Sequence, residues 1–285
     1  MTPNPLKPEF WKAYAAELRE DKDKRFLRPE FWDRISETYD ELEATPFYRQ
    51  MVEEIVSTMR ERGALAPENR VFDVACGPGN YAVRFAPLVR EVVGLDVSPK
   101  MLAKFEEKMQ AKGYTNYRTI QADWFQFETQ ERFETVFVSM SPILHDLDSV
   151  DRLLSLAKRF LILVHWAGVR RNLLHERIYR EVFQRELKWG KPGLIIPFNY
   201  LYARGFPGDL RFFCGYWERR HSLEKELERL LWRLDGEGIE VSPEQEAQIR
   251  RILEAEAQDG EIVSRTKVRI GFLFVEVSGP CAKAG

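Results

Sequence analysis

The sequence predicts an α/β fold built on a mostly parallel sheet with helices on both faces. Five short apolar runs, at 71–75, 92–95, 117–121, 135–139 and 160–165, alternate with stretches of helical periodicity, and such alternation is typical of parallel sheets. Several runs are apolar at successive positions, as in strands that are buried on both faces. A glycine-rich turn directly follows the first run, where sheets of this type bind ligands. Together these observations indicate a Rossmann-like architecture.

The hydrophobic periodicity also predicts the helices between these strands and the elements that follow the fifth strand. Helices are predicted over residues 81–89, 99–112 and 149–157. After residue 167 the alternation ends, and residues 168–190 have the pattern of a basic amphipathic helix. Two further strands are predicted over 210–217 and 267–277.

The domain organisation is predicted from the same changes of pattern. Residues 1–50 are expected to form an N-terminal helical cap, whose aromatic side chains either pack on the main domain or cover a ligand pocket. The main domain is expected over 51–285, with insertions at about 168–200 and 221–258. The second insertion has the pattern of two charged helices. We expect the cap and the first insertion to cover the carboxyl edge of the sheet and to shape a substrate site.

The composition excludes several classes of protein. Of 285 residues, 44% are hydrophobic and 31% are charged, and the formal net charge of −2 gives no general attraction to nucleic acid or to an anionic membrane. No apolar run approaches the ~20 residues of a membrane span, and the first residues lack the apolar core of a signal peptide. The three cysteines and four histidines have no metal-binding spacing. We therefore expect a cytoplasmic protein without a metal site; nothing in the sequence indicates an oligomeric state.

The turn after the first strand is the most informative segment. Asp73 lies inside the strand, four residues before Gly77, and Gly79 completes the turn. Glycine is needed where a backbone turns sharply or approaches a ligand closely. The spacing also matches the GxGxxA fingerprint of dinucleotide-binding domains, so an NAD(P)-dependent oxidoreductase is an alternative. The carboxylate of Asp73 disfavours a pyrophosphate at this turn and favours a ligand that carries a cationic group.

Acidic residues also follow the next two strands. Asp96 ends the second strand, which is a common position for a carboxylate that accepts hydrogen bonds from ribose hydroxyls. Asp123 follows the third strand, where it can accept a hydrogen bond from an exocyclic amine, and Trp124 offers a ring for stacking. Because the carboxyl ends of parallel strands meet at one edge of the sheet, we expect Asp73, Asp96 and Asp123 to line one hollow.

These motifs resemble those of the class I S-adenosylmethionine-dependent methyltransferases, over about residues 30–167. Residues 73–79 are similar to the family's first motif, DxGxGxG, with Ala75 in place of the first glycine. The resemblance implies that Val97 and Met101 flank the adenine, and that Ser139 and the residues after it lie near the transferred methyl group. It implies S-adenosylmethionine as the cofactor, bound by Asp73, Ala75, Gly77, Gly79, Asp96, Val97, Met101, Asp123, Trp124 and Ser139. The family's sheet ends in an antiparallel hairpin, which the last two predicted strands are expected to form.

The resemblance implies a methyltransferase, and two residues are candidates for catalysis. His145 follows the fourth strand, and Tyr39 lies in a segment similar to the family's N-terminal helix, whose tyrosine approaches the cofactor. Either residue could be a general base if the acceptor must lose a proton.

The acceptor itself is less well defined by the sequence. The aromatic-rich cap and insertion favour a small molecule. An RNA acceptor is the alternative, because residues 158–191 contain nine Lys and Arg against three Glu. A cofactor-binding protein without catalytic activity is the remaining alternative.

Overall fold

The computed structural model describes residues 4–18, 28–37, 39–187 and 192–278. Within these residues one sheet contains seven strands: β1 Arg70–Val74, β2 Glu91–Asp96, β3 Tyr117–Gln121, β4 Phe133–Ser139, β5 Ala157–Arg171, β6 Gly208–Ser222 and β7 Glu261–Glu276. Their order across the sheet is β3-β2-β1-β4-β5-β7-β6. Strands β1 to β5 are parallel, and β7 is antiparallel to both β5 and β6. The predicted fold class, a mostly parallel Rossmann-like sheet with an antiparallel C-terminal hairpin, is confirmed.

Helices cover both faces of the sheet, as predicted. The α-helices of the described residues are α1 Pro8–Glu17, α2 Pro29–Asp33, α3 Pro46–Glu61, α4 Ala82–Phe85, α5 Pro99–Ala111, α6 Leu147–Leu156, α7 Leu173–Phe183, α8 Ile195–Ala203, α9 Leu223–Gly236 and α10 Pro243–Glu256. Because successive strand residues point to opposite faces, Phe137 of β4 enters the apolar core under α3, α4 and α5, whereas its neighbours Val136 and Val138 enter the core under α1, α6 and α8. In the described part of the chain, no helix combines the length and the apolar character that crossing a bilayer requires.

The second half of the sheet is longer than the sequence pattern predicts. β5 continues to Arg171 because it pairs with β7 again after a register shift. The basic helix predicted over 168–190 was therefore wrong for residues 168–171, which belong to the strand. Helix α7 begins after them, where the Asn172 side chain accepts a hydrogen bond from the amide of His175 at 3.0 Å. Backbone pairing with a neighbouring strand thus overrides the helical periodicity of this segment.

Helices α7, α9 and α10 form a third apolar core with the extended end of β7. Helices α9 and α10 occupy the stretch between β6 and β7, where the sequence predicts two charged helices. The basic and acidic segments partly face each other here, since Arg177 of α7 forms an ion pair with Glu256 of α10 at 2.5 Å. This helical layer is therefore connected to the rest of the protein through the long strands of the C-terminal hairpin.

The N-terminal helices contact different parts of the main body. Helix α1 packs against α8, and its Lys12 forms an ion pair with Asp148 of α6 at 2.6 Å. Helix α2 packs against α5. Parts of the predicted cap and of the first predicted insertion lie outside the described residues, namely 1–3, 19–27, 38 and 188–191. The division into a cap at 1–50 and a main domain at 51–285 stays a prediction.

The glycine turn packs against α5, and a pair of substitutions tests this contact. Gly79 has a φ of +75°, and a Cβ atom there would lie 2.6 Å from Cδ2 of Phe105. Gly63 has a φ of +77°, but a Cβ atom there would have nothing within 4 Å. We expect Gly63→Ala to lower the free energy of unfolding by ~1 kcal/mol through backbone strain. Gly79→Ala should lower it by about 2 kcal/mol more because the ring must move. Urea unfolding measures both losses, and equal losses would contradict the packing described.

Candidate functional site

A pocket with an empty volume of about 640 Å³ lies at the carboxyl ends of β1 to β4. The predicted site residues that line it are Tyr39, Ala75, Gly77, Asp96, Val97, Met101, Asp123, Trp124 and Ser139. Three predicted site residues, Asp73, Gly79 and His145, are not among its lining residues. The structure therefore brings residues from four strand ends and from the N-terminal segment to one hollow.

The charged side chains that line the pocket are all acidic. Asp96 and Asp123 are acidic, and none of the described lining residues is Lys, Arg or His. Most of the other lining residues are apolar or aromatic. The pocket therefore favours a ligand that carries a positive charge and hydrogen-bond donors, and it disfavours the doubly charged pyrophosphate of a dinucleotide.

Asp96 connects two of the elements that form the pocket. Its Oδ2 accepts a hydrogen bond from the amide of Gly77 at 2.8 Å, and its Oδ1 accepts one from the amide of Ser98 at 2.9 Å. Burial raises the pKa of Asp96 above its usual value, although the amide donors of Ser98 and Gly77 oppose this shift. A carboxylate has about four acceptor sites, so ribose hydroxyls could bind in addition to the amides. The ribose role of Asp96 stays a prediction.

Ser98 links the pocket to the N-terminal segment. Its Oγ accepts a hydrogen bond from the amide of Met101 at 3.1 Å, which caps α5, and donates one to Asp33 at 2.5 Å. Asp33 is the last residue of α2, so this bond holds the neighbouring Trp32 at the pocket. The rings of Trp32 and Tyr39 are in edge contact, with centroids 6.5 Å apart. Both of these rings line the pocket.

The turn after β1 has a left-handed backbone at three positions. Ala75 and Gly77 have φ values of +55° and +53°, and Gly79 has +75°. An alanine in this conformation is strained because its Cβ approaches the following carbonyl oxygen. A glycine at position 75, as in the motif DxGxGxG, would therefore adopt this backbone conformation with less strain than alanine. Gly79 contributes to the turn and to the contact with Phe105 rather than to the pocket lining.

Asp73 is buried and does not line the pocket. Its residue is 2% exposed. Burial, together with the charge of Asp96, raises the pKa of Asp73 well above its usual value. Of the three acids expected in one hollow, Asp96 and Asp123 line it and Asp73 is buried behind it. Direct binding of a ligand by Asp73 stays a prediction.

Asp123 and Trp124 form the wall beyond β3. The Nε1 atom of Trp124 donates a hydrogen bond to Ser149 at 3.0 Å, and the guanidinium of Arg152 lies 4.2 Å from the ring centroid. The indole is therefore held in one orientation with one face covered. Asp123 Oδ1 accepts a hydrogen bond from the amide of Phe125 at 3.0 Å, which leaves its second oxygen available for a ligand.

The end of β4 contains a second strained residue. Met140 follows Ser139 with a φ of +55°, and its amide donates a hydrogen bond to the carbonyl of Val164 in β5 at 2.8 Å. Backbone strain of this kind concentrates at functional sites.

Four other lining residues were missed by the sequence analysis, namely Leu95, Ala122, Phe125 and Ile143. Leu95, Ala122 and Phe125 are each next to a predicted site residue in the chain. This adjacency is the sequence feature that could have identified them.

Tyr39 has a hydroxyl that stays protonated near neutral pH. Burial and the nearby carboxylates of Asp96 and Asp40 raise the pKa of Tyr39 to about 12. A phenol that keeps its proton can donate a hydrogen bond but cannot act as a general base. The raised pKa thus favours Tyr39 as a hydrogen-bond donor over the predicted general base, and its catalytic role stays a prediction.

His145 contacts a second histidine. Its Nε2 lies 3.1 Å from Nε2 of His165, so one ring donates and the other accepts. Burial and the proximity of His145 hold the pKa of His165 well below its usual value, which keeps His165 neutral. His145 ends a short 3₁₀ turn that begins at Pro142, and Pro142 lines the pocket. A catalytic role for His145 stays a prediction.

Residues 71–162 match the model of a family described as a methyltransferase domain. A Bacillus halodurans protein of known structure, provisionally described as a methyltransferase, is similar with a TM-score of 0.51 and 19% identity. The similarity covers 78% of this chain and 97% of that protein. At this identity the structural likeness shows the fold. The resemblance to a methyltransferase domain is thereby confirmed for residues 71–162.

Several curated relatives match parts of the chain. A protein of Haemophilus influenzae, described as uncharacterized, is 29% identical over 149 residues, which are 51% of this chain and 53% of that protein. The demethylmenaquinone methyltransferase of Geobacillus kaustophilus is 30% identical over 112 residues, or 38% of this chain and 47% of that enzyme. The chain spans about half the length of the curated relatives that it matches.

The strain at Ala75 generates a prediction for stability. Glycine adopts a φ of +55° without the steric cost of alanine, but it also has more conformational freedom to lose on folding. We expect Ala75→Gly to raise the free energy of unfolding by ~0.5 kcal/mol. Chemical denaturation measures this change. Val74→Ala, a substitution of the adjacent buried residue of β1, is the control and should lower the free energy of unfolding. A lower free energy of unfolding in Ala75→Gly would contradict the proposed backbone strain at Ala75.

Proposed function

We propose that the protein is an S-adenosylmethionine-dependent methyltransferase that acts on a small-molecule acceptor. The observation that carries this proposal is the pocket at the strand ends of the methyltransferase domain, whose charged lining residues are the two carboxylates Asp96 and Asp123. S-adenosylmethionine carries a cationic sulfonium, so a carboxylate-lined pocket favours it over an anionic dinucleotide. A cytoplasmic location belongs to the same proposal.

The residues around the pocket fit the parts of this cofactor. Asp96 would accept hydrogen bonds from the ribose hydroxyls, and Asp123 would accept one from the adenine amine. Val97, Met101 and Trp124 would provide the apolar surroundings of the adenine. The turn at residues 75–79 would border the amino-acid portion, and the buried carboxyl group of Asp73 precedes this turn in the chain.

The chemistry needs alignment of the two reactants more than an acid or a base. When it is bound, S-adenosylmethionine supplies a methyl carbon already activated by its sulfonium. The protein must then orient the acceptor in line with that carbon and exclude water. Ser139 and Met140 are the residues proposed to border the reacting end, and Tyr39 is proposed to orient the acceptor by donating a hydrogen bond. His145 is the remaining candidate for a base when the acceptor carries a proton.

A small acceptor fits the surroundings of the pocket better than RNA. The pocket is bordered by Trp32 and Tyr39 of the N-terminal segment, which supports an enclosed site. The basic residues of segment 158–191 are spread along β5 and α7, and several are neutralised: Lys158 pairs with Glu134, Arg171 with Glu176, and Arg177 with Glu181. The demethylmenaquinone methyltransferase among the relatives agrees with a small acceptor.

Ligand-induced stabilisation tests the proposal without knowledge of the acceptor. S-adenosylhomocysteine should raise the melting temperature of the protein, whereas NAD and NADP should not, because only a ligand that binds the native state stabilises it. Stabilisation by NADP alone would contradict the proposal and favour the oxidoreductase.

Incubation with labelled S-adenosylmethionine and candidate acceptors then distinguishes an enzyme from a protein that only binds the cofactor. Transfer of the label to RNA would favour the RNA alternative.

Substitutions in the pocket should weaken cofactor binding selectively. Asp123→Ala removes a carboxylate whose one hydrogen bond within the described structure is to the amide of Phe125, so it should leave folding nearly unchanged and lower the affinity for S-adenosylhomocysteine by ~1.5 kcal/mol. Asp96→Ala should lower the affinity by about 2 kcal/mol or more and should also destabilise the unliganded protein. Titration calorimetry measures both, with the exposed Asp209→Ala as the control. Unchanged affinity in Asp96→Ala would refute its role.

A further inference from the structure

A group of buried hydrogen-bond donors lies beside the pocket, on the face of the sheet that α3 covers. The residues of β6 that alternate inward include Trp217, Arg219 and His221. The Nε atom of Arg219 and the Nε1 atom of Trp217 are buried and have no hydrogen-bond partner among the described residues. Both atoms can only donate. Buried donors without a partner are rare in native proteins because each one costs free energy, so a missing acceptor is indicated here.

The neighbouring carboxylates do not supply that acceptor. Glu226 accepts hydrogen bonds from His221 at 3.1 Å and from His175 at 3.4 Å. Glu41 accepts from His221 at 2.8 Å and pairs with Arg229 at 3.3 Å. The acids whose charges act on Arg219, Glu226 and Glu41, therefore already have other side chains as partners.

A second guanidinium adds to the positive charge. Arg170 of β5 lies over the ring of Trp166, with its Cζ atom 4.5 Å from the ring centroid. Burial, and the charges of Arg233 and Arg219, lower the pKa of Arg170 to about 9. Burial and the charge of Arg229 lower the pKa of Arg219 to about 10. Both pKa values stay above neutral, so both side chains carry a positive charge near neutral pH.

These side chains are connected to the pocket through aromatic rings. The rings of Trp166 and Trp217 are 4.8 Å apart. Met140, which lines the pocket, packs in the same apolar cluster as these rings, and its amide is bound to β5 two residues before Trp166. Tyr39 also lines the pocket, and its hydroxyl is influenced by the charges of both Asp96 and Arg219.

We propose that Arg219 and Arg170, with the rings of Trp217 and Trp166, form a subsite that binds the anionic oxygens of the methyl acceptor. The acceptor is then an organic anion, a carboxylate or a phosphate with a flat apolar body. Guanidinium groups bind both kinds of anion through paired hydrogen bonds, and the indole rings offer the apolar surface for the body. The proposal rests on the proposed methyltransferase function, because it assigns the acceptor half of the same site.

The test uses small anions on the full-length protein loaded with S-adenosylhomocysteine. The probes are benzoate, phenyl phosphate and neutral benzamide, and tryptophan fluorescence reports binding because two indole rings line the subsite. Benzoate or phenyl phosphate should bind and benzamide should not, and the preferred probe distinguishes a carboxylate from a phosphate acceptor. Equal binding of benzamide and both anions, or no binding of either anion, would overturn the proposal.

Three variants assign the binding to Arg219. Arg219→Met should lower the affinity for the anion about 30-fold, and Arg219→Lys should retain part of it because the charge remains. Arg220→Met is the matched control, since Arg220 is exposed on the opposite face of β6, and its affinity should equal that of the unmodified protein. Arg219→Met should be at least as stable as the unmodified protein without ligand, since a buried uncompensated charge is removed. Equal affinities in Arg219→Met and Arg220→Met would overturn the proposal.

The two proposals can fail separately in this experiment. Melting temperatures of the same samples report S-adenosylhomocysteine binding, which should be the same in Arg219→Met and in Arg220→Met. Anion binding that depends on Arg219 without stabilisation by S-adenosylhomocysteine would refute the cofactor and leave the anion subsite. Stabilisation by S-adenosylhomocysteine without anion binding would refute the subsite and leave the cofactor.

Discussion

The buried carboxylate of Asp96 is the interaction on which the rest of the site depends. It accepts hydrogen bonds from the amides of Gly77 and Ser98, and so it joins the turn after β1 to the start of α5. Ser98 in turn binds Asp33, which holds the end of α2 over the sheet. A single ionisable group, held in an environment that raises its pKa, thus organises three chain segments around one pocket. Burying it costs desolvation free energy, which the amide donors offset in part.

The charges around the site are separated in space. The carboxyl groups of Asp73, Asp96 and Asp123 lie at the ends of β1 to β3, whereas the guanidinium groups of Arg170 and Arg219 lie on β5 and β6. This separation suits the proposed reaction of a cationic donor with an anionic acceptor, since each group of charges would attract one reactant. The long C-terminal hairpin makes this possible, because β6 extends beyond the parallel strands and carries Arg219 to the side of the pocket.

The fold and the position of the pocket could largely be predicted because their signals are local. Alternating apolar runs indicate the parallel strands, and the turn at 75–79 identifies the edge at which a ligand binds. Local patterns did not reveal that Asp73 is buried outside the pocket lining, because burial depends on the packing of distant segments. They also did not reveal the positive φ of Met140, which depends on the hydrogen bond to Val164 in another strand.

The positions of Arg170 and Arg219 could not be predicted because they depend on pairing between distant segments. Arg170 was expected on a helix, and only the pairing of β5 with β7 reveals that it belongs to a strand. Arg219 lies beyond the predicted end of its strand, so its inward direction follows only from the full length of β6. Long-range pairing of this kind has no signature within a short window of sequence.

A crystal structure of the protein with S-adenosylhomocysteine tests the central claim most directly. The account predicts the adenosyl group in the pocket, with both ribose hydroxyls within hydrogen-bond distance of Asp96 and the adenine amine beside Asp123. A ligand bound away from the strand ends, or an adenosyl group in the pocket whose ribose makes no contact with Asp96, would contradict the account.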